Sequence, residues 1–423
     1  MTPAQLSIAF FLQLLLIIAA CRTVGWLAKR FLGQPQVVGE MIAGVVLGPS
    51  LLGLLAPGVQ AFLFPPESKA ILFVVAQLGV GLYMFIVGLG FDRAHFRGNV
   101  RSAAAVSLSG IAAPFLVAVA MTPWLLETPG LFSPEVTRAE ATLFMGACIA
   151  ITAFPMLARI IHERGISGTP LGTLSLSAGA IDDAGAWMVL AVVLASFGDG
   201  ANVAFVAIGG GVAFALFMLT LAPPLLARLG RWHEREGALS QSMLAVAMML
   251  FMAAAWAMDA IGIHAVFGGF MLGVAMPRGA FAEQLRKTLE PVTVVVLLPC
   301  FFTYSGLNTQ LSLVDDGNLL GIAAAILAGS ILAKGGACYL AARATGHSHR
   351  EAAGIGSLMN ARGLMELIII NIGLQRGIIE PALFSIMVVM AIVTTLMASP
   401  LFEFFYGRHA RAKDAARPAT TSA

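Results

Sequence analysis

Residues 151–157 read ITAFPML, and residues 359–365 read MNARGLM. Each stretch interrupts an apolar run long enough to form a helix. In the first, Pro155 withdraws a backbone donor. In the second, Asn360 and Gly363 favour unwinding. Proline and glycine are common in membrane helices, so one such break alone says little. What the two mean together depends on where they fall in the order of spans.

The surrounding composition settles the solvent. The 423 residues are 59% hydrophobic and only 11% charged, against roughly a quarter charged in soluble domains. Such a chain cannot hide its apolar side chains inside a water-soluble globule, so it reads as an integral membrane protein. Its apolar runs are continuous rather than alternating, which excludes the pattern of an outer-membrane barrel. The 45 glycines and 20 prolines suit close helix contact. Cys21, Cys148, Cys300 and Cys338 lie singly in apolar segments, without metal-ligand spacing. The N-terminal MTPAQLSIAF has no basic region ahead of its apolar run, so residues 6–28 read as a retained span rather than a cleaved signal.

With about 20 apolar residues needed per crossing, thirteen spans are expected: 6–28, 35–53, 70–91, 101–121, 140–161, 171–197, 201–227, 241–260, 262–277, 289–307, 318–342, 350–373 and 381–405. Pro114 is expected to interrupt the fourth, and the ninth is short. The basic residues test this count. Alternate loops and the C-terminal tail together carry 20 of the 25 lysines and arginines, and the opposite side carries only Lys69, Arg138 and Arg376. That asymmetry puts the C-terminus in the cytoplasm and the N-terminus outside. The chain is expected in the plasma (inner) membrane. Residues 1–406 then form one all-α transmembrane domain. Residues 407–423, GRHARAKDAARPATTSA, form a short basic tail attracted to anionic lipid.

Thirteen spans allow the first six to pair with the last six at an offset of seven. Because seven is odd, paired helices run in opposite directions. An inverted-topology repeat follows, about 6–197 and 241–405, of the kind found in secondary transporters. The breaks at 151–157 and 359–365 fall in paired spans. Discontinuous helices at corresponding positions of two halves point to a midplane binding site.

Six ionisable residues lie within spans: Glu40, Asp182, Asp183, Lys334, Arg362 and Glu366. Each costs at least about 2.5–3.5 kcal/mol at the bilayer centre. Asp182, Asp183, Lys334 and Arg362 share one depth. Adjacent helix positions point about 100° apart, so the two aspartates face different neighbours. One of them can face Lys334 while the other is free for a cation or a proton. The alternative for Asp182 and Lys334 is a pair that only holds helices together. Arg362 and Glu366, at i and i+4, read as a structural or gating pair. Thr152 can offer oxygen to an ion beside the first break. Glu40 reads as a helix-terminal group, and His264 as an interfacial histidine. No Ser/His/Asp or Cys/His arrangement, HExxH motif or nucleotide-binding glycine pattern occurs, so neither an enzyme nor a cofactor is expected, and no nucleic acid partner. A cation channel or a K+-efflux system with channel-like flux remains the competing reading, although no repeated filter motif is present.

Six segments in order, QPQVVGEMIAGVVLGPSLLG, AITAFPMLARII, AGAIDDAGAW, IGIHAVFGGFMLGVAMPRGAFAEQL, LLPCFFTYSGLNT and LMNARGLMELIIINIG, resemble the monovalent cation:proton antiporter superfamily. The closest likeness is to its second branch, with bacterial Na+ or K+/H+ antiporters and plant cation/H+ exchangers. The resemblance runs from about residue 30 to residue 401. It implies a sodium/proton antiporter-like fold, with a dimerisation domain and a six-helix core holding two crossed, unwound helices. It also implies an elevator-like movement, a homodimer, and Na+ or K+ and H+ as substrates in pH homeostasis. By resemblance, Asp183 is the ion- and proton-binding carboxylate. Asp182 matches a neighbour that is aspartate in electrogenic members, and Lys334 the lysine that pairs with it. Thr152 and Asn360–Arg362 match the crossed breaks. Gln77 and Gly90 stand where many members have acids. A regulatory soluble domain is missing, which argues against nucleotide gating.

Overall fold

Long apolar runs in a medium without water must satisfy their backbone internally, and the α-helix does so within one segment. The computed structural model of the chain describes residues 2–90, 100–164, 166, 169–179, 181–182, 185, 201–261, 265–314 and 317–407. Asp183, His264 and the tail beyond residue 407 lie outside these residues. Every regular element among the described residues is a helix, with no strand among them and one isolated bridge, Phe132 with Ile379.

Nine helices among the described residues are long and apolar enough to cross a membrane. They correspond to the expected spans 1–4, 7, 8, 10, 11 and 13. The other four expected spans differ for separate reasons. The fifth is broken into Arg138–Ala150 and Phe154–Glu163, and the twelfth into His349–Met359 and Leu364–Gln375. The ninth is a short helix, Ala265–Ala275. The sixth is helical over residues 170–179 and 181–182 and then enters residues that are not described.

Pro114 departs from expectation. The helix Val100–Glu127 runs through both Pro114 and Pro123 without ending. A proline removes one helix hydrogen bond and bends the segment, and membrane helices tolerate this where neighbours satisfy the freed carbonyl.

Two compact units divide the chain. The first comprises Met1–Leu27, Gly39–Asp92 and Trp187–Thr309. In it, Pro66–Leu89 packs along Ala265–Ala275 with the two backbones in contact. A Cβ on Gly88 would lie 2.9 Å from the Cα of Gly273 and closer still to the carbonyl of Phe270. Only glycine permits this approach. Arg278 fastens the ends of the same two helices, donating to the carbonyls of Leu89 (2.7 Å) and Val274 (2.8 Å). Glu40, read as a terminal group, sits inside the helix Gln36–Leu47. It is buried there and paired with Arg22 at 3.7 Å.

The second unit comprises Ala28–Val38, Arg93–Ala186 and Gln310–Ala423. It contains both broken helices, with Val100–Glu127, the helical run Gly317–Ala344 and Pro381–Phe402. Its apolar core joins Val106, Leu157, Leu174, Ile355, Leu358 and Phe402. Each broken helix starts with a capping box, Thr137 with Glu140 and Ser348 with Glu351. There the side-chain oxygen and the glutamate satisfy orphan donors reciprocally.

Candidate ion site at the crossing of two broken helices

A helix that stops inside a membrane leaves its last four carbonyls without helix partners and concentrates negative potential there. Arg138–Ala150 stops in this way. Arg362 donates from Nη1 to the Cys148 carbonyl (2.7 Å) and from Nη2 to the Ile149 carbonyl (2.9 Å). Lys334 donates from Nζ to the carbonyl of Ala150. Two fully buried cations thus close three of the four orphan carbonyls.

Residues 151–153 belong to neither half-helix, with Ile151 extended, and they meet the second break directly. The Ala153 amide donates to the Ala361 carbonyl at 3.0 Å. Thr152 Oγ1 lies 2.9 Å from the Met359 carbonyl. Pro155 occupies the second position of the following half-helix, not the break itself. A proline in the first helical turn forfeits a donor that has no helix partner in any case, so it marks where the helix restarts. Asn360 closes the helix His349–Met359 with its Nδ2 on the Gly356 carbonyl (3.2 Å), and Gly363 opens Leu364–Gln375.

Asp182 lies beside this crossing, 1% exposed. Its Oδ2 accepts from Lys334 Nζ at 2.5 Å and from Thr152 Oγ1 at 2.9 Å. Its Oδ1 accepts from Ser107 Oγ at 2.5 Å. Thr152 has one hydroxyl hydrogen, so its bond to Asp182 competes with its bond to the Met359 carbonyl. Lys334 sits in a π-helical turn, Leu332–Gly336, and such turns recur at functional positions. Gly110 on Val100–Glu127 lets the next turn of that helical run come close: a Cβ there would lie 2.7 Å from Cys338 Sγ.

Arg362 also meets Glu366 at 3.1 Å, one helical turn on and likewise fully buried. Glu366 occupies the first turn of Leu364–Gln375, where the helix dipole favours a negative charge. Of the residues expected at the site, Asp182, Thr152 and Lys334 therefore gather at one point, and Arg362 and Glu366 at another. Asn360 and Gly363 form the second break, and Asp183 lies outside the described residues. Sequence reading passed over Ser107 and Thr395. Each is a hydroxyl in an apolar helix with no local pattern to mark it.

The comparisons with known proteins agree with this architecture. Residues 15–405 match the family described as sodium/hydrogen exchanger, transmembrane. The Na+/H+ antiporter NhaS4 of Synechocystis sp. is 38% identical over 397 residues, which cover 93% of this chain and 96% of that protein. The chain belongs to the sodium/hydrogen exchanger family. As an exchanger-family member it is a multi-pass membrane protein of a transporter family. Cation/H+ antiporter 19 of Arabidopsis thaliana is 33% identical over 93% of this chain, which spans about half (49%) of that plant protein's length. The structure of the sodium proton antiporter MjNhaP1 from Methanocaldococcus jannaschii at pH 8 superimposes with a TM-score of 0.68 at 16% identity. It covers 96% of this chain and 97% of its own, which shows a common fold.

Proposed function

We propose that this exchanger carries Na+ or K+ across the membrane in exchange for protons, with Asp183 as the carboxylate that binds cation and proton in alternation. One observation carries the reading. The described charges at the crossing are already balanced, Asp182 by Lys334 and Arg362 by Glu366. Asp183 is next in sequence to Asp182, so a further carboxylate falls within one residue of that crossing. Ionisable residues within membrane spans mark ion and proton pathways.

The division of the chain supports a two-part working model. The unit with both breaks is the part that carries the ion in an elevator-like movement, and the other is the dimerisation part of a homodimer in the inner membrane. The inverted repeat, about 6–197 and 241–405, relates the broken helices to each other. Relatives named as a Na+/H+ antiporter, a K+/H+ antiporter and a Na+/H+-K+ antiporter support a monovalent cation as the partner of the proton. They leave the choice between Na+ and K+ to experiment, because ligand number and cavity size decide it.

The test is dequenching of a pH-sensitive dye in proteoliposomes when Li+, Na+, K+ or Rb+ is added. The expected result is a saturable proton flux driven by Na+ or K+. Cation flux that needs no proton counterflow would replace the exchanger with a channel.

Topology follows from the same reading. A reporter fused after Ala423 is expected in the cytoplasm, and a thiol introduced as Asp199→Cys is expected to react from outside. The native cysteines contribute little background, because all four are free and buried. Labelling of position 199 from the cytoplasm would break the thirteen-span order and the inverted repeat.

A further inference from the structure

The second break faces a requirement that its own helices cannot meet. Arg362 lies between His349–Met359 and Leu364–Gln375, so its amide and carbonyl have lost their helix partners. Inside a membrane no water replaces them. Thr395, on the helix Pro381–Phe402 and 1% exposed, meets both. The Arg362 amide donates to Thr395 Oγ1 at 3.2 Å, and the hydroxyl lies 2.9 Å from the Arg362 carbonyl. The same hydroxyl is 2.7 Å from the Ala391 carbonyl of its own helix, so its single hydrogen is shared between two acceptors.

Thr394, the preceding residue, is an internal contrast. It is equally buried, but its hydroxyl reaches only the Met390 and Ala391 carbonyls of its own helix. A threonine that bonds back within its helix is ordinary. A threonine that holds both backbone groups of an unwound residue on another element is not.

We propose that Thr395 is a positioning residue for ion binding: its hydroxyl holds the backbone of Arg362 and so sets the geometry of the crossing. The chain of contacts is short. Arg362 carries the guanidinium that closes the Cys148 and Ile149 carbonyls. Its neighbour Ala361 accepts from Ala153, and Ala153 adjoins Thr152 on Asp182. Loosening Arg362 therefore loosens the segment that presents Thr152. This inference rests on the proposed exchange activity, and its test separates the two.

Thr395→Val keeps the shape and removes both contacts. In proteoliposomes it is expected to raise the cation concentration for half-maximal exchange by at least about fivefold, the scale of one lost buried hydrogen bond. Thr395→Ser, which keeps the hydroxyl, is expected to return within about twofold of wild type. Thr394→Val, which loses only a bond within its own helix, is expected to match wild type. Thr395→Ala is read in the same way, should valine prevent insertion. Cation-induced thermal stabilisation of the purified protein gives the same midpoint without transport. A wild type that exchanges nothing therefore sinks the proposed function and leaves this inference still measured. Wild-type half-saturation in Thr395→Val and Thr395→Ala, or an equal rise in Thr394→Val, would overturn the clamp.

Discussion

Exchange in Asp183→Asn is expected to fall to the level of empty vesicles, with the protein still inserted and folded. Asparagine keeps the size and most of the hydrogen-bonding capacity of aspartate and loses the titratable charge. A transported cation then meets a neutral amide, and no proton can be released in return. Misfolding is not the expected cause of the loss. An ionised side chain at the bilayer centre costs at least about 2.5–3.5 kcal/mol, so removing one makes insertion easier. The two described ion pairs at the crossing, Asp182 with Lys334 and Arg362 with Glu366, do not involve Asp183 and are expected to stay intact in such a variant. Monodisperse protein at wild-type yield, with no cation-driven proton flux, is the supporting outcome. Substantial exchange would remove Asp183 from the centre of the mechanism.

The second large effect concerns Lys334. If Asp183 alone carried the exchange, one cation would replace one proton and no net charge would move. Asp182 offers a second proton site only if its charge is managed as the cation leaves, and Lys334 is bonded to it at 2.5 Å. Lysine suits this role because an ammonium can give up a proton, whereas a guanidinium stays charged. Wild-type exchange is therefore expected to be electrogenic. Each charge moved is worth about 2.3 kcal/mol per 100 mV, a bias of roughly fiftyfold.

Lys334→Gln is expected to make exchange electroneutral or to abolish it. The single variant also leaves Asp182 buried without its cation, at a cost of about 3–5 kcal/mol. The double variant Lys334→Gln with Asp182→Asn removes the pair as a unit and separates coupling from stability. Rates are read with the membrane potential clamped by a K+/valinomycin gradient and Na+ as substrate, if Na+ is transported. A wild-type rate indifferent to potential would sink the two-proton reading and leave Asp182 and Lys334 as a structural pair.

The nine long helices were legible because hydropathy is a local property: twenty apolar residues in a row need a bilayer wherever they stand in the fold. The two breaks were legible through Pro155, Asn360 and Gly363, whose backbone restrictions travel with the residue. The first break was nevertheless placed imprecisely. Proline reports the absence of a donor, and a helix restart uses that absence as readily as a helix end does. The capping boxes at Thr137 and Ser348 went unread in the sequence, although a threonine or serine with glutamate three residues on acts within one turn and fixes where each broken helix starts.

Charge economy carries some long-range information. Lys334 and Asp182 are 152 residues apart, and an unpaired charge in hydrocarbon is costly enough that few pairings are open to either. Hydroxyls carry no such information. Ser107, Thr394 and Thr395 each lie in an apolar helix, and each can satisfy itself on its own carbonyl four residues back. Whether one instead reaches Asp182 or clamps Arg362 depends on which helix packs opposite, a matter the tertiary structure alone decides. The cost of leaving a hydroxyl within its own helix is close to zero, so nothing in the local sequence distinguishes the two outcomes.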